Sequence, residues 1–310
     1  MYNYTWYHWI TFFFLYCFCG WIFESAYVSL KKHKPVNRGF LRLPMLPLYG
    51  FGAIMMLWVS LPVQDNIVLV YLSGVLGATI LEYITGYVME RLFKIKYWDY
   101  SNQKYNLHGY VCLSSSIAWG FLTIFMTDVI HKPIERFVLA LPPLVEFAFI
   151  VIVGLLFAAD TIQSTREALN LAKALEAMTK MKSELENMQV QMALLKAEIA
   201  QRVEEYKEEH PSYSELSVEA HARMAELSEL KDNLKDNTKA VISELKNETE
   251  AALTARVEAL NLHLDSLVKK RSDLKQHMGF YRKGILKGNP SATSAKFAEA
   301  LKELRESLRK

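Results

Sequence analysis

The sequence has few cysteines and no nucleotide-binding or catalytic motif. Only three cysteines occur in 310 residues, and all lie in apolar stretches. They therefore supply neither a disulfide framework nor the paired spacing of a metal site. The chain also lacks a phosphate-binding loop, because Gly284, Lys287 and Gly288 do not have the G-x-x-x-x-G-K-[ST] spacing. We therefore predict no catalytic, cofactor-binding or metal-binding residues, and any ATP hydrolysis would need a separate subunit.

Charge is scarce in the first 159 residues and evenly balanced in the rest. The first part holds 11 Lys/Arg and 8 Asp/Glu, whereas residues 160–310 hold 25 of each. This balance argues against nucleic-acid binding, since nucleic-acid binders carry a clear basic excess on one face. The composition shifts at the same point, from aromatic and apolar residues to Lys, Glu, Ala, Leu and Met. We predict two parts, residues 1–159 and residues 160–310.

Long apolar runs dominate the first part. Roughly 20 apolar residues in a helix cross the ~30 Å hydrocarbon core of a bilayer. Five stretches meet this requirement and predict transmembrane helices at Trp6–Leu30, Leu43–Leu61, Ile67–Met89, Tyr110–Ile130 and Arg136–Ala158. The predicted fold is all-α, a polytopic membrane bundle of about five transmembrane helices followed by a cytoplasmic, coiled-coil-like helical tail.

The basic residues predict the orientation of these helices. They concentrate in the first and third connections, at Lys31, Lys32, Lys34, Arg38, Arg42, Arg91, Lys94, Lys96 and Lys104. Connections rich in Lys and Arg stay on the cytoplasmic side. We therefore predict a multi-pass protein of the cell membrane, with the N-terminus outside and the tail in the cytoplasm.

Three carboxylates lie within the predicted spans, where a charge is costly and usually faces the bundle interior. Glu24 and Glu82 both lie roughly 10 Å from the cytoplasmic end of their helices, at 1.5 Å per residue. Such a pair can share a proton, hold a cation or receive a cationic head group. Alternatively, each is protonated and hydrogen-bonds a neighbouring helix. Glu146 is predicted near the middle of the fifth span, with the same two interpretations.

Two cytoplasmic connections carry further candidate residues. The first contains Arg38 within Asn37–Leu41, followed by closely spaced prolines and glycines that predict a bent or partly unwound helix start. The second contains Trp98, Asp99, Asn106 and His108. Trp98 is expected at the inner interface, and Asp99 and Asn106 can close local turns. His108 is either a proton donor or ligand near the depth of the carboxylates, or a structural loop residue.

These motifs carry a resemblance to a known family. They are Glu24, the NRGFL run with Pro44, Pro47, Tyr49 and Gly50, then Glu82, Gly86 and Glu90, WDYS at Trp98–Ser101, NLHG at Asn106–Gly109, and Trp119-Gly120. Over roughly residues 8–155 the sequence resembles the ABC-transporter type IV (CmpB-like) membrane family. The resemblance implies a permease-like membrane subunit. Because the chain lacks a phosphate-binding loop, a partner ATPase would be a separate subunit.

The tail shows heptad spacing from Leu171 onward, with charged residues between the apolar positions. Pro211 interrupts this pattern, and a second helix is predicted from about Ser214 to Met278. The two helices either fold into an antiparallel hairpin or form a seam between subunits. A third helix is predicted from about Ser294. It follows a Gly/Pro break that is either a linker or a contact to anionic lipid through Arg282, Lys283 and Lys287.

Three functions remain open on the sequence alone. The first is a permease-like transporter subunit whose tail dimerises or binds a partner helix. The second is a membrane-embedded enzyme that acts on a lipid head group at the inner leaflet, with Glu24, Glu82, Asp99 and His108 as an acid–base cluster. The third is a membrane-anchored scaffold.

Overall fold

The computed structural model describes residues 4–209 and 250–308, and these ranges are mostly helical. A two-stranded antiparallel hairpin, β1 (Asn106–Leu107) and β2 (Val111–Cys112), interrupts the helices. In chain order the helices are α1 (Trp6–Lys32), α2 (Pro47–Ser60), α3 (Ile67–Phe93), α4 (Leu113–Phe125), α5 (His131–Leu139), α6 (Pro143–Glu209), α7 (Glu250–Gln276), α8 (Phe280–Gly288) and α9 (Ala298–Ser307).

Four helical segments are long and apolar enough to cross a membrane. They are Trp6–Lys32, Ile67–Phe93, Leu113–Leu139, in which a π-helical turn joins α4 to α5, and the apolar part of Pro143–Arg202. Large apolar side chains such as Phe23, Leu76 and Leu155 point away from the protein on these helices. The remaining predicted span corresponds to the 14 residues of α2 and a short 3₁₀ turn, and it is shorter than the others. The protein is therefore a helical membrane protein, and the number of crossings stays a prediction.

The ends of the long helices follow from local chemistry. Asn66 caps α3, because its side-chain oxygen accepts hydrogen bonds from the backbone N–H groups of Val68 and Leu69. The C-cap residues of α1 and α3 are His33 and Lys94, which have positive φ angles of 51° and 59°. Two long connections start at these residues, a first connection (residues 33–46) and a second connection (residues 94–112). They lie at the same end of the bundle, called here the connection end.

The last apolar helix begins at Pro143, and not at Arg136 as the sequence predicted. Arg136 belongs to α5, which ends at Leu139. The break occurs at Pro142-Pro143, because proline is tolerated in the first turn of a helix but not in its interior. Glu146 therefore lies in the first turn of α6, and not near the middle of a span.

Small residues bring α3 close to α4. One face of α3 is buried at every fourth residue, at Gly74, Ala78, Glu82 and Gly86. A Cβ atom on Gly74 would collide with Thr123 of α4. This close approach orients Glu82 toward α4 and away from lipid, as expected for helices that meet at small residues.

The chain packs as two units. One comprises residues 1–176 and 278–310, and the other comprises residues 177–277. The predicted boundary at residue 159 falls inside α6 and stays a prediction. In the second unit, Leu195 of α6 and Leu253 of α7 form a buried apolar cluster. The predicted break at Pro211 and helix start at Ser214 lie outside the described residues, and the coiled-coil register also stays a prediction.

Helices α8 and α9 belong to the first unit and pack on the connection end. Backbone hydrogen bonds of 2.8 Å join Lys96 and Thr293 in both directions, and the Ser294 hydroxyl donates to the Lys94 carbonyl at 2.7 Å. The predicted break around Arg282 is largely the helix α8, and the predicted third helix begins at Ala298. This C-terminal segment (residues 280–307) is thus part of the first unit.

Candidate functional site

A cavity of about 550 Å³ lies at the connection end of the bundle. Its walls come from α1, α2, α3, α4, α6, both connections and the residue that follows α8. We call it the carboxylate cavity, because its lining includes Glu24 and Glu82. Further lining side chains used below are Arg38, Phe40, Tyr49, Tyr97, Trp98, Tyr100, Trp119, Thr161 and Asn289.

Glu24 is held in an ion pair at one wall. Arg38 Nε lies 3.3 Å from Glu24 Oε2, and the Tyr49 hydroxyl donates to Glu24 Oε1 at 2.7 Å. Nη1 of the same arginine donates to the Gly288 carbonyl at 3.1 Å and to Asn289 Oδ1 at 2.8 Å. One guanidinium therefore links a carboxylate of α1 to the C-terminal segment.

Glu82 is held differently, by neutral donors alone. Tyr100 donates its hydroxyl to Oε1 at 3.1 Å, and Trp119 donates its indole N–H to Oε2 at 2.8 Å. The hydroxyl of Ser115 lies 3.5 Å from Oε2. The residue is only 5% exposed. Within the described part of the chain, no basic side chain lies within ion-pair distance of this carboxylate.

The local fold places Arg38 at the cavity. The next residue, Gly39, forms a tight bend with a φ of 125°, a backbone conformation accessible mainly to glycine. The bend is anchored from α6, because Asp160 Oδ2 accepts the backbone N–H groups of both Arg42 and Leu43 at 2.9 Å. Asp160 is buried, so its carboxylate fixes the first connection against α6.

Glu90 and Trp98 both form hydrogen bonds with Tyr110. Trp98 lines the carboxylate cavity and donates its indole N–H to the Tyr110 carbonyl at 2.9 Å. Glu90 does not line it: its carboxylate accepts the Tyr110 hydroxyl at 2.5 Å and lies 3.9 Å from Lys96 Nζ. Burial and the hydrogen bond to Glu90 raise the pKa of Tyr110 to about 12, so this phenol stays protonated.

Asp99 organises the second connection and lies outside the lining. Its Oδ1 accepts the backbone N–H and the hydroxyl of Ser101, and its Oδ2 accepts the Thr293 hydroxyl at 2.9 Å. Burial alone would raise the pKa of Asp99, but these hydrogen bonds and the nearby charge of Lys96 lower it below the usual aspartate value. Asp99 is therefore an ionised anchor for the C-terminal segment.

Asn106 and His108 also lie outside the lining. Asn106 closes turns, since its amide nitrogen donates to the carbonyls of Ser101 and Gln103. His108 is at the tip of the hairpin with a positive φ of 53°, and its Nδ1 lies 3.2 Å from the Tyr83 hydroxyl. It is exposed, so the structure does not bring it together with Glu24 and Glu82.

Glu146 lies at the opposite end of the bundle. It is 1% exposed, and its Oε2 is 3.6 Å from His8 Nε2 in the first turn of α1. At the same end, His131 contacts the hydroxyls of Tyr4 and Tyr16 at 2.9 and 2.7 Å. This polar cluster is separate from the carboxylate cavity.

Several residues that shape the cavity carried no sequence prediction of a role at a site. Hydrogen bonds at the cavity identify them as Tyr49, Tyr100, Ser115, Trp119, Asp160 and Asn289. Tyr49, Tyr100 and Trp119 lie within the family motifs, and this was the available signal for them. Asn289 lies in the Gly/Pro break predicted as a linker or a lipid contact, and no periodic pattern connects it with residues 250 positions earlier.

The wall of the cavity is mainly apolar and aromatic. Within it, one carboxylate has a guanidinium partner and the other has only neutral donors. Within the described ranges, no group of three or more His, Cys, Asp or Glu side chains is placed to hold a metal ion.

Comparison with known families gives one assignment. Residues 11–165, half of the chain, match the family described as "Putative ABC-transporter type IV". This range includes most of α1, all of α2 to α5, the apolar part of α6, and every cavity residue named above except Asn289. Comparisons with curated proteins and with solved structures gave no match. The matched range and its motifs show that the chain belongs to the ABC-transporter type IV family.

Proposed function

We propose that the chain is a permease-like subunit of a membrane transporter and that the carboxylate cavity is its substrate site. The observation that carries this proposal is the meeting of Glu24 and Glu82, from two different apolar helices, at one cavity. Intramembrane carboxylates are retained mainly where they serve a pathway or a ligand, because they are expensive in lipid. Family membership supports the same assignment.

The proposed orientation places the connection end in the cytoplasm. The connections at this end carry six of the 11 Lys/Arg residues in residues 1–159, whereas the short connection at residues 64–66 carries none. Under the positive-inside rule, this distribution gives a multi-pass protein with its N-terminus outside. The cavity then lies near the inner leaflet, where a cytoplasmic partner can reach its rim.

Two kinds of partner fit this arrangement. The chain has no phosphate-binding loop, so ATP-driven transport requires a separate ATPase subunit. The unit of residues 177–277, with its apolar contacts between α6 and α7, is proposed as the part that binds a partner helix or a second copy.

The enzyme alternative has less support. It required His108 and Asp99 to act together with Glu24 and Glu82, but both side chains lie outside the cavity lining. His108 is an exposed turn residue, and the carboxylate of Asp99 is engaged by Ser101 and Thr293. No observation favours the scaffold alternative over transport.

Transport is testable without knowing the substrate. Everted membrane vesicles from cells that express the chain are incubated with ATP and a small-molecule extract of the same cells. The vesicle contents are then compared by mass spectrometry with those of vesicles from deletion cells. We expect at least one compound to differ in amount between the two, and the Glu24→Gln/Glu82→Gln variant to behave like the deletion.

Glu146→Gln is the matched control, because it alters a buried carboxylate at the opposite end of the bundle. It should retain the wild-type difference. Identical contents in wild-type and deletion vesicles would refute the transport proposal. If the vesicle contents are identical but the cells need residues 160–310 for growth, the scaffold alternative would replace the transport proposal.

A further inference from the structure

Aromatic side chains form much of the cavity wall around the two carboxylates. Six of the lining residues are Phe40, Tyr49, Tyr97, Trp98, Tyr100 and Trp119. The faces of aromatic rings attract cations, and proteins use aromatic surroundings to recognise organic ammonium groups. An aromatic wall beside a carboxylate therefore favours a cation with some apolar surface over a fully hydrated inorganic ion.

The charged groups of the cavity also favour a cationic guest. Arg38 is already paired with Glu24, whereas Glu82 has hydrogen bonds only from neutral groups. A buried carboxylate without a compensating charge is costly. A cationic guest next to Glu82 would remove that cost, and an anionic guest would increase it.

Two hydroxyl groups in the wall remain without partners. Tyr97 is 5% exposed, and its hydroxyl has no hydrogen-bond partner within the described structure. The same holds for the buried Oγ1 of Thr161. Both residues line the cavity. Buried polar groups are normally satisfied, so these oxygens indicate a guest that donates hydrogen bonds, as a primary ammonium group does.

A second cavity adjoins the first and is mainly apolar. It has a volume of about 340 Å³ and lies among α1, α2 and α4, where Phe23, Met56 and Phe125 contribute to its wall. Leu48, Tyr49 and Trp119 line both cavities. A guest with a polar head in the first cavity thus has an apolar compartment beside it for a hydrocarbon chain.

We propose that the two cavities together bind an amphipathic primary ammonium ion, with the ammonium group beside Glu82 and Tyr97 and the hydrocarbon chain between α1, α2 and α4. This inference rests on the proposed substrate site and names the chemical class of its ligand. The ligand is either a membrane lipid with an amine head group or a free long-chain amine, because both present the same recognised groups.

The test measures binding of dodecylammonium to the full-length chain in phosphatidylcholine nanodiscs, after subtraction of binding to empty nanodiscs. We expect saturable binding that dodecanol and dodecyl sulfate do not displace. Glu82→Gln should weaken it at least about tenfold, since it removes one partner of a desolvated charge pair. Glu146→Gln, the matched carboxamide control, should bind as wild type does.

A second variant protects the test against misfolding. Tyr97→Phe removes only the unpartnered hydroxyl, so it should keep the wild-type melting temperature and weaken dodecylammonium binding severalfold. Binding that is unchanged in both Glu82→Gln and Tyr97→Phe, or displacement by dodecanol as strong as by dodecylammonium, would overturn the proposal.

A further arm identifies the source of the ligand. Repeating the measurement in nanodiscs that contain phosphatidylethanolamine shows whether this lipid competes with the probe. Competition supports a lipid ligand, and its absence together with tight probe binding supports a free amine. Binding without any transport in the vesicle assay would refute the proposed function but not the ligand class, whereas transport of non-amine compounds alone would refute the ligand class only.

Discussion

At the scale of single residues, the cavity treats its two carboxylates differently. Glu24 is neutralised by Arg38 at 3.3 Å, whereas Glu82 is only positioned, by Tyr100, Trp119 and the nearby Ser115 hydroxyl. Neutral donors fix the direction of a carboxylate without cancelling its charge. We therefore propose separate roles for the two glutamates: Glu24 joins structural segments, and Glu82 faces the proposed guest.

Trp119→Phe tests how far Glu82 depends on its donors. The substitution keeps an aromatic ring but removes the indole N–H that lies 2.8 Å from Glu82 Oε2. A buried acceptor that loses a partner costs about 1–3 kcal/mol. We expect a lower melting temperature for the full-length chain in nanodiscs.

Trp58→Phe is the control, because Trp58 is 69% exposed on α2 and donates no side-chain hydrogen bond within the described residues. It should melt as the wild type does. Equal melting temperatures for the two variants would show that the hydrogen bond to Glu82 contributes little to stability.

Residue chemistry also sets what the sequence could predict. Glu24 and Glu82 were predictable as candidates, because carboxylates within apolar runs are conspicuous and their distances from the helix ends are similar. Glu146 was placed in the wrong part of its helix, since the apolar run continues through Pro142-Pro143 although the helix does not. Asn289 was not predictable, because a polar residue in a Gly/Pro-rich stretch is typical of a linker.

At the scale of elements, the C-terminal segment docks through backbone contacts that tolerate little change. A Cβ atom at Gly288 would lie 2.6 Å from the Asn37 carbonyl oxygen and 3.1 Å from that of Gly39. The Asn289 side chain donates to the same Gly39 carbonyl at 2.9 Å. Glycine at residue 288 therefore allows α8 to approach the first connection.

Gly288→Ala should loosen this docking. The added methyl group meets backbone atoms that cannot rotate away, and overpacking of this kind costs about 1–3 kcal/mol. We expect amide hydrogen exchange in residues 280–307 to become at least about fivefold faster, because a factor of ten corresponds to 1.4 kcal/mol. Mass spectrometry of the nanodisc-embedded chain measures this exchange rate.

Gly279→Ala gives the matched control, because a Cβ at this helix cap meets no atom within 4 Å. Its exchange should stay at the wild-type rate. If Gly288→Ala also exchanged at that rate, the contact between α8 and the first connection would not hold the segment in place.

At the scale of the whole molecule, the proposed orientation follows from the unequal distribution of basic residues. It is tested by single cysteines placed at Asp65 and Lys104 after the three native cysteines are replaced by serine. Both positions are exposed, and they belong to connections at opposite ends of the bundle. A membrane-impermeant maleimide should label the Asp65→Cys variant in intact cells and the Lys104→Cys variant only after permeabilisation.

Labelling both variants after permeabilisation controls for reactivity. Labelling of Lys104→Cys in intact cells would place the connection end outside and reverse the proposed topology. The cavity and its contacts would be unaffected, but the cytoplasmic partner proposed for its rim would no longer reach it.

The position of Asn289 has a consequence for biosynthesis. The ribosome makes this residue about 250 positions after Arg38, when every apolar helix of the bundle has already been translated. A nascent chain that is halted in residues 177–277 would hold both glutamates in the membrane but leave the Arg38 guanidinium without its asparagine. Completion of the wall is therefore a late maturation step, and truncated products would be inserted but would lack the finished pocket.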